Sequence, residues 1–259
     1  MPIEMSDQDE LSEVVSRQID YYKAKAGQYD RLGPVELVGD QPDLPDGQRA
    51  QDLSRSDGDV SLAESLEIEI EQVEQAFAGV ELGNDVLEFA CGTGNWTARI
   101  LERAHKVTCV EASIEMATIA LAKMGPDAQR VRLVVTDLFE FEPDQVYDSV
   151  VFGFWISHVP VERLNRFCKL VSECLKVGGT LFFVDDKQAI GANQDSLSSK
   201  ENRTSRLETR IVDSGETFQV VKNFWSPQDL VDVFDAHNIQ VKVSETDQFF
   251  LFGSGVRLA

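Results

Sequence analysis

Short apolar runs alternate with amphipathic stretches along most of the chain, a rhythm that belongs to α/β proteins. Residues 7–30 have helical spacing and end in Tyr21-Tyr22 and Tyr29-Asp30, whereas Gly33 to Asp59 is rich in Pro, Gly and Asp without periodicity and predicts a mobile loop. Ser61 and Glu64 form a capping box that opens a helix with Leu62, Leu66, Ile70, Val73 and Phe77 along one stripe. An apolar strand beginning near Val86 follows, then a second over Lys106 to Val110 and a third over Arg130 to Val135. Between the last two, Ser113 caps a helix with Ile114, Ala117, Leu121 and Met124 on one face. Tyr147 to Phe152 is a fourth strand, Pro160 opens a helix carrying Val161, Leu164, Cys168, Val171 and Leu175, and Thr180 to Val184 is a fifth strand after Gly178-Gly179. This succession predicts a doubly wound, mostly parallel sheet with helices on both faces.

The tail breaks the rhythm. Arg206 to Val212 and Glu216 to Phe224 flank Asp213-Ser214-Gly215, a hairpin signal. Ser226-Pro227 then caps a helix with Leu230, Val233, Phe234 and His237 inward, and strands over Ile239 to Ser244 and Gln248 to Gly253 close the chain. The expected organisation is a helical cap over residues 1–80, including the loop 33–59, and a core over 81–259 with a lid insertion at about 186–224. No internal repeat is visible.

The stretch Val-Leu-Glu-Phe-Ala-Cys-Gly-Thr-Gly-Asn-Trp-Thr, residues 86–97, carries the chemistry: an apolar strand runs into a Gly-x-Gly turn that opens a helix. Gly92 and Gly94 allow a sharp turn and close approach to a ligand. A dinucleotide fingerprint requires a third glycine where Thr97 stands, and has no use for a carboxylate at Glu88. Both features count against a nicotinamide-dependent oxidoreductase. The next strand ends at Glu111 and the third at Thr136-Asp137-Leu138. Consecutive parallel strands end side by side, so all three acidic residues fall on the edge where ligands lie.

The pattern Glu88-x-x-x-Gly92-x-Gly94, with acidic tips at Glu111 and Asp137, resembles the class I methyltransferases that use S-adenosylmethionine. The resemblance is specific over residues 84–185 and elsewhere rests on the order of elements. It implies a seven-stranded Rossmann-like sheet with one antiparallel strand, N-terminal helices and a hairpin lid. It implies S-adenosylmethionine as cofactor, with Glu111 on the ribose hydroxyls and Asp137 and Leu138 beside the adenine. The Tyr21-Tyr22…Tyr29-Asp30 segment resembles one that closes over the cofactor in small-molecule members. The cofactor-binding set implied is Tyr22, Tyr29, Glu88, Ala90, Gly92, Gly94, Trp96, Glu111, Ala112, Met116, Asp137, Leu138 and Phe154.

In that family the turn after the fourth strand lies beneath the methyl-bearing sulfur, here Phe154-Trp155-Ile156-Ser157-His158. Phe154 or Trp155 can wall a sulfonium, with Trp155 also facing substrate, and His158 can serve as general base on an acidic hydroxyl. An ionised acceptor needs no base. Arg203, Arg206 and Arg210 in the lid are candidates for holding an anionic substrate, Arg203 foremost. Asp185-Asp186 resembles the metal-binding strand tip of catechol-type methyltransferases, yet no further ligands accompany it, so no metal is assigned.

Net charge of −21 excludes nucleic-acid and anionic-membrane partners in this reading, because phosphates are repelled before specific contacts form. No apolar run approaches the roughly 20 residues of a membrane span, and no signal peptide is evident, so the expected location is cytoplasmic. Cys91, Cys109, Cys168 and Cys174 lack metal or redox spacing. The expected function is methyl transfer from S-adenosylmethionine to a small molecule, at an oxygen of a phenol or carboxylate, by a monomer or homodimer. The alternatives are methylation at nitrogen or carbon and a protein that binds S-adenosylmethionine without transferring its methyl.

Overall fold

The computed structural model describes residues 7–32, 62–187 and 205–259. The loop expected over 33–59, the cap residue Ser61, Arg203 and much of the expected lid lie outside the described residues. Helix α1 (Asp7–Lys25) runs into a 3-10 segment (Ala26–Leu32), so the helix expected to reach residue 30 tightens before Tyr29. The elements that follow are α2 (Leu62–Ala78), β1 (Asp85–Phe89), α3 (Asn95–Leu101), β2 (Lys106–Glu111), α4 (Ile114–Met124), β3 (Val131–Val135) and β4 (Tyr147–Gly153). The second half has α5 (Val161–Cys174), β5 (Leu175–Asp186), β6 (Leu207–Ile211), β7 (Thr217–Val221), α6 (Pro227–Asp235), β8 (Ile239–Glu245) and β9 (Phe250–Arg257).

Seven strands form one sheet in the order β3-β2-β1-β4-β5-β9-β8. The first five pair in parallel, and β9 lies antiparallel to both β5 and β8. Chain order reverses between β1 and β4, which makes the carboxyl edge there the crevice for a ligand. Strand alternation splits the core in two. Leu87, Phe89, Val150, Phe152, Leu181 and Phe183 point toward α5 and α6, meeting Phe167, Val171, Leu230 and Phe234. Val86, Val107, Val151 and Phe182 point the other way, onto Val73, Phe77, Trp96 and Ile100 of α2 and α3. Central strands buried on both faces read as continuous apolar runs, as the sequence has them.

Two expected faces differ. In α4 the buried residues are Met116, Ala117, Ala120 and Met124, while Ile114 is 52% exposed because it opens the helix immediately after its Ser113 cap. His237 lies past the end of α6, half-buried, with Nε2 2.8 Å from Asn165 Oδ1. Strand β6 pairs with β7 as a separate two-stranded sheet that packs on α1 through Tyr21, Val212 and Val220.

Burial of Glu69 in α2 was not legible from its surface-like sequence context. Its carboxylate accepts hydrogen bonds from Gln248 N (2.9 Å), Phe249 N (2.8 Å) and the Thr246 hydroxyl, fixing the turn between β8 and β9. Glu69→Ala strands these donors in a buried place. A loss of about 3 kcal/mol of stability is expected, read as a lowered midpoint in urea; a midpoint within experimental error of wild type would show the turn holds itself.

Candidate active site

Four strands, β1 to β4, deliver their carboxyl ends to one cavity. After β1 the backbone turns through Ala90 (φ 51°) and Gly92 (φ 54°), and after β4 it turns through Phe154 (φ 54°). Ala90 and Phe154 hold a left-handed conformation that side chains disfavour, and both line the cavity. Gly94 is needed for a different reason: a Cβ there would come within 3.0 Å of Ala120 Cβ, so the loop packs directly on α4.

Glu111 at the end of β2 organises the loop. One carboxylate oxygen accepts from Gly92 N and the other from Ser113 N, each at 2.9 Å. Burial raises its pKa, while the backbone N–H groups of Ser113, Gly92 and Ala112 act in the opposite sense. Asp137 accepts from Phe139 N at 2.9 Å and caps the 3-10 turn Leu138–Glu140. The cavity, about 700 Å³ including space open to solvent, is lined by Tyr22, Tyr29, Ala90, Gly92, Glu111, Ala112, Met116, Asp137, Leu138, Phe154 and Trp155 from the expected set. A carboxylate with both oxygens anchored and lone pairs remaining, beside a loop free of side-chain bulk, fits a ribose and its flanking groups.

Three expected cofactor residues do not line it. Glu88 is 1% exposed and sits behind the loop, where it accepts from the Thr97 hydroxyl at 2.5 Å and from the Cys109 thiol at 3.5 Å. Burial pushes its pKa up to about 8, against the opposing bonds from Thr97 and Cys109. Gly94 contacts α4, and Trp96 packs between Phe77 and Phe182 with ring centroids 5.1 and 5.5 Å away. The aromatic residue after the glycines thus serves the core between sheet and α2.

His158, expected at the reacting centre, lies one residue behind the wall. It is 3% exposed, with Nδ1 2.6 Å from the Val221 carbonyl and Nε2 3.0 Å from the Tyr22 hydroxyl. A carbonyl only accepts, so Nδ1 carries the proton and Nε2 accepts from Tyr22. Burial, reinforced by Lys222, Arg210 and Lys25, holds its pKa well below the usual histidine value. Tyr22, raised well above the ordinary phenol range chiefly by burial, stands between His158 and the cavity.

The strand tip Asp185-Asp186 is occupied by a lysine. Lys222 Nζ donates to Asp186 Oδ2 at 2.5 Å and to Ser157 Oγ at 3.1 Å and lies 3.7 Å from Asp185 Oδ1. Asp185 in turn accepts from Ser157 N at 2.8 Å. Among the described residues no group of three metal-ligating side chains comes together.

Sequence reasoning missed Val15, Gln18 and Ile19, which line the cavity with Tyr22 along one face of α1; their helical spacing was the available signal. Gln18 also ties α1 to the core, donating to the His158 carbonyl at 3.2 Å and accepting from Val221 N at 2.9 Å. Asp30 accepts from the Thr93 hydroxyl at 2.8 Å, joining the 3-10 segment to the glycine loop. No helix among the described residues is long and apolar enough to cross a membrane.

Residues 86–179 match a methyltransferase-domain family. An uncharacterized methyltransferase of Bacillus licheniformis is 30% identical over 171 residues, covering 63% of this chain and 77% of the relative. Another from Geobacillus sp. (strain WCH70) is 31% identical over 143 residues, 50% of this chain and 66% of the relative. Among solved structures, a DhpI–SAM–HEP complex superposes with a TM-score of 0.73 at 25% identity, covering 93% of this chain and 97% of the other. A DhpI–SAH complex gives a TM-score of 0.70 at 24% identity, covering 95% and 98%. With the strand order, the glycine loop and these relatives together, the chain belongs to the class I S-adenosylmethionine-dependent methyltransferases, and S-adenosylmethionine is its cofactor.

Proposed function

We propose that the chain methylates an oxygen of a small molecule, a phenol or a carboxylate. The observation that carries this reading is that Gln18, Ile19 and Tyr22 of α1 and Tyr29 of the 3-10 segment line the same cavity as the strand ends, so that an acceptor reaching the cofactor must fit among them. The charge of −21 supports it by repelling polyanions.

In this reading Glu111 accepts hydrogen bonds from the ribose hydroxyls, Asp137 and the Leu138 backbone meet the adenine, and Ala90, Gly92, Ala112 and Met116 bound the cofactor without obstructing it. Tyr22, Tyr29, Phe154 and Trp155 wall the reacting end. Arg203 is retained as an acceptor ligand from the sequence alone. Bound S-adenosylmethionine supplies an electrophilic methyl group on a sulfonium. The protein's part is to hold the acceptor oxygen in line with that methyl and to exclude water, effects that together can supply much of the rate.

His158 acts through Tyr22 rather than on the acceptor. With Nδ1–H held by Val221, its Nε2 fixes the Tyr22 hydroxyl in one orientation. An acceptor that arrives ionised, a phenolate or a carboxylate, transfers no proton to either group, so the pair's part is to position the Tyr22 hydroxyl. His158→Ala is therefore expected to lower turnover while cofactor affinity stays within about twofold of wild type, and unreduced turnover would remove His158 from the mechanism.

The reading is tested by calorimetric titration with S-adenosylmethionine, S-adenosylhomocysteine and NADH, followed by methyl-transfer assays on phenols, carboxylic acids and amines. Binding of the first two with oxygen methylation is expected. Transfer only to amines would move the reaction to nitrogen, and binding without any transfer would favour a non-methylating role.

A further inference from the structure

Residues 154–160 join β4 to α5 and contain a single 3-10 turn, Ile156–His158, whose residues are buried. Inside this connection only the carbonyls of Trp155 and Ile156 find partners, His158 N at 2.8 Å and Val159 N at 3.3 Å. The carbonyls of Ser157, His158 and Val159 are taken by groups distant along the chain: Asn223 N at 2.7 Å, Gln18 Nε2 at 3.2 Å and Asn223 Nδ2 at 2.9 Å. The Trp225 indole N–H adds a bond to the Ile156 carbonyl at 3.0 Å. Buried irregular backbone settles where its hydrogen-bond partners are, so the exit of the β6–β7 hairpin decides the path of this turn.

Ser157 is gripped at three points. Its N–H donates to Asp185 Oδ2 at 2.8 Å, its carbonyl accepts from Asn223 N, and its hydroxyl accepts from Lys222 Nζ at 3.1 Å, an ammonium that also donates to Asp186 Oδ2 at 2.5 Å. Asn223 Oδ1 accepts from Arg206 N at 3.0 Å, so its amide bridges the hairpin base and the turn with both ends engaged. Lys222 and Asn223 are both buried, and a buried ammonium or amide is costly to leave unpaired. The same turn opens with Phe154 (φ 54°) and Trp155, which line the cavity. A left-handed residue other than glycine persists only where its surroundings over-determine it. Here the constraints are the Phe154 N bond to the Val184 carbonyl at 2.7 Å on one side and the grip on Ser157 and Val159 on the other.

We infer that Lys222 and Asn223 are positioning residues for methyl transfer: through Ser157 and Val159 they hold the turn that sets Phe154 and Trp155 against the methyl-bearing sulfur. This rests on the proposed place of those two aromatic residues at the reacting end and deepens it. A sulfonium is a cation that a ring face attracts, and the attraction depends on how closely the ring stands. The thioether left after transfer is neutral and gains little from the same ring. Loosening the grip therefore costs S-adenosylmethionine more than S-adenosylhomocysteine, whereas a general loss of stability or damage to a ribose contact costs both alike.

The test is the ratio of affinities for S-adenosylmethionine and S-adenosylhomocysteine, measured by calorimetry on the full chain. Asn223→Asp keeps an oxygen for Arg206 N but turns an acceptor toward the Val159 carbonyl. It should shift the ratio roughly fivefold against S-adenosylmethionine, with affinity for S-adenosylhomocysteine within about twofold of wild type. Ser157→Ala removes only the hydroxyl that Lys222 meets and should shift the ratio the same way by roughly threefold. Glu69→Ala, which loosens the turn between β8 and β9, should leave the ratio where it stands. An unshifted ratio in Asn223→Asp and Ser157→Ala, an equal loss of both ligands, or a shift of the same size in Glu69→Ala would overturn the inference. If Asn223→Asp does not fold, Ser157→Ala decides alone. Phe154→Leu and Trp155→Leu test the reading beneath it: no shift from either would show that this turn does not wall the sulfonium, and the inference would fall with that reading. A shift from these two without one from Asn223→Asp or Ser157→Ala would overturn the positioning role by itself.

Discussion

Glu111→Ala is expected to weaken S-adenosylmethionine and S-adenosylhomocysteine binding by at least tenfold and to lower thermal stability as well. The side chain does two jobs at once. It holds Gly92 N and Ser113 N, one on each carboxylate oxygen at 2.9 Å, and it offers its remaining lone pairs to the ribose in the proposed reading. Each donor left without its acceptor costs about 1 to 3 kcal/mol. Part of that cost falls on the free protein and part on the complex, because the glycine loop loses the tether that sets its shape before the cofactor enters. Glu111→Gln should be milder, since a single amide oxygen can keep one backbone partner but not accept on both sides. Calorimetry on both variants checks the order wild type, Gln, Ala. Equal affinity across the three would show that the ribose is held elsewhere and that the carboxylate serves only the loop.

The division between what the sequence reveals and what it hides follows the range of the forces involved. Strands such as Tyr147 to Phe152 and caps such as Ser113 and Ser226 declare themselves because a residue and its neighbours within a turn decide them. The crevice follows from strand order, and strand order follows from connection rules. Placement of Glu111 and Asp137 on the cavity wall needed no more than knowing where two strands end, Glu111 closing β2 and Asp137 two residues past β3.

What escaped depends on contacts distant along the chain. Nothing near His158 in sequence announces that Tyr22 and Val221 will take its two ring nitrogens, since these partners come from α1 and the hairpin. Lys222 reads as one more surface charge until β7 brings it to the β5 tip, where it stands between carboxylates that otherwise resemble the start of a metal site. The glycine loop misled in a different way: a Glu-x-x-x-Gly-x-Gly pattern places the carboxylate near the loop but does not say on which side of it, and strand alternation turns Glu88 toward Thr97 and Cys109.

That orientation has a measurable consequence at Glu88. Its folded-state pKa is about 8 against an ordinary 4.5, because burial penalises the charged form more than Thr97 and Cys109 favour it. Between those two values the folded protein keeps a proton that the unfolded chain has released. Stability contributed by this group is therefore full below about pH 4.5 and declines as pH rises toward 8, at no more than about 1.4 kcal/mol per pH unit. Glu88→Gln removes the ionisation while keeping an oxygen for the Thr97 hydroxyl. The variant should match wild type near pH 5 and exceed it in denaturation midpoint near pH 8, with the difference growing through the interval. Cofactor affinity at neutral pH should change by less than about threefold, because an uncharged acid behind the loop is a poor counter-ion for the cofactor's cationic amine. The opposite pair of results, a large loss of affinity with an unaltered pH dependence of stability, would mean that Glu88 is an ionised cofactor ligand and that its bond to Thr97 yields when the cofactor binds.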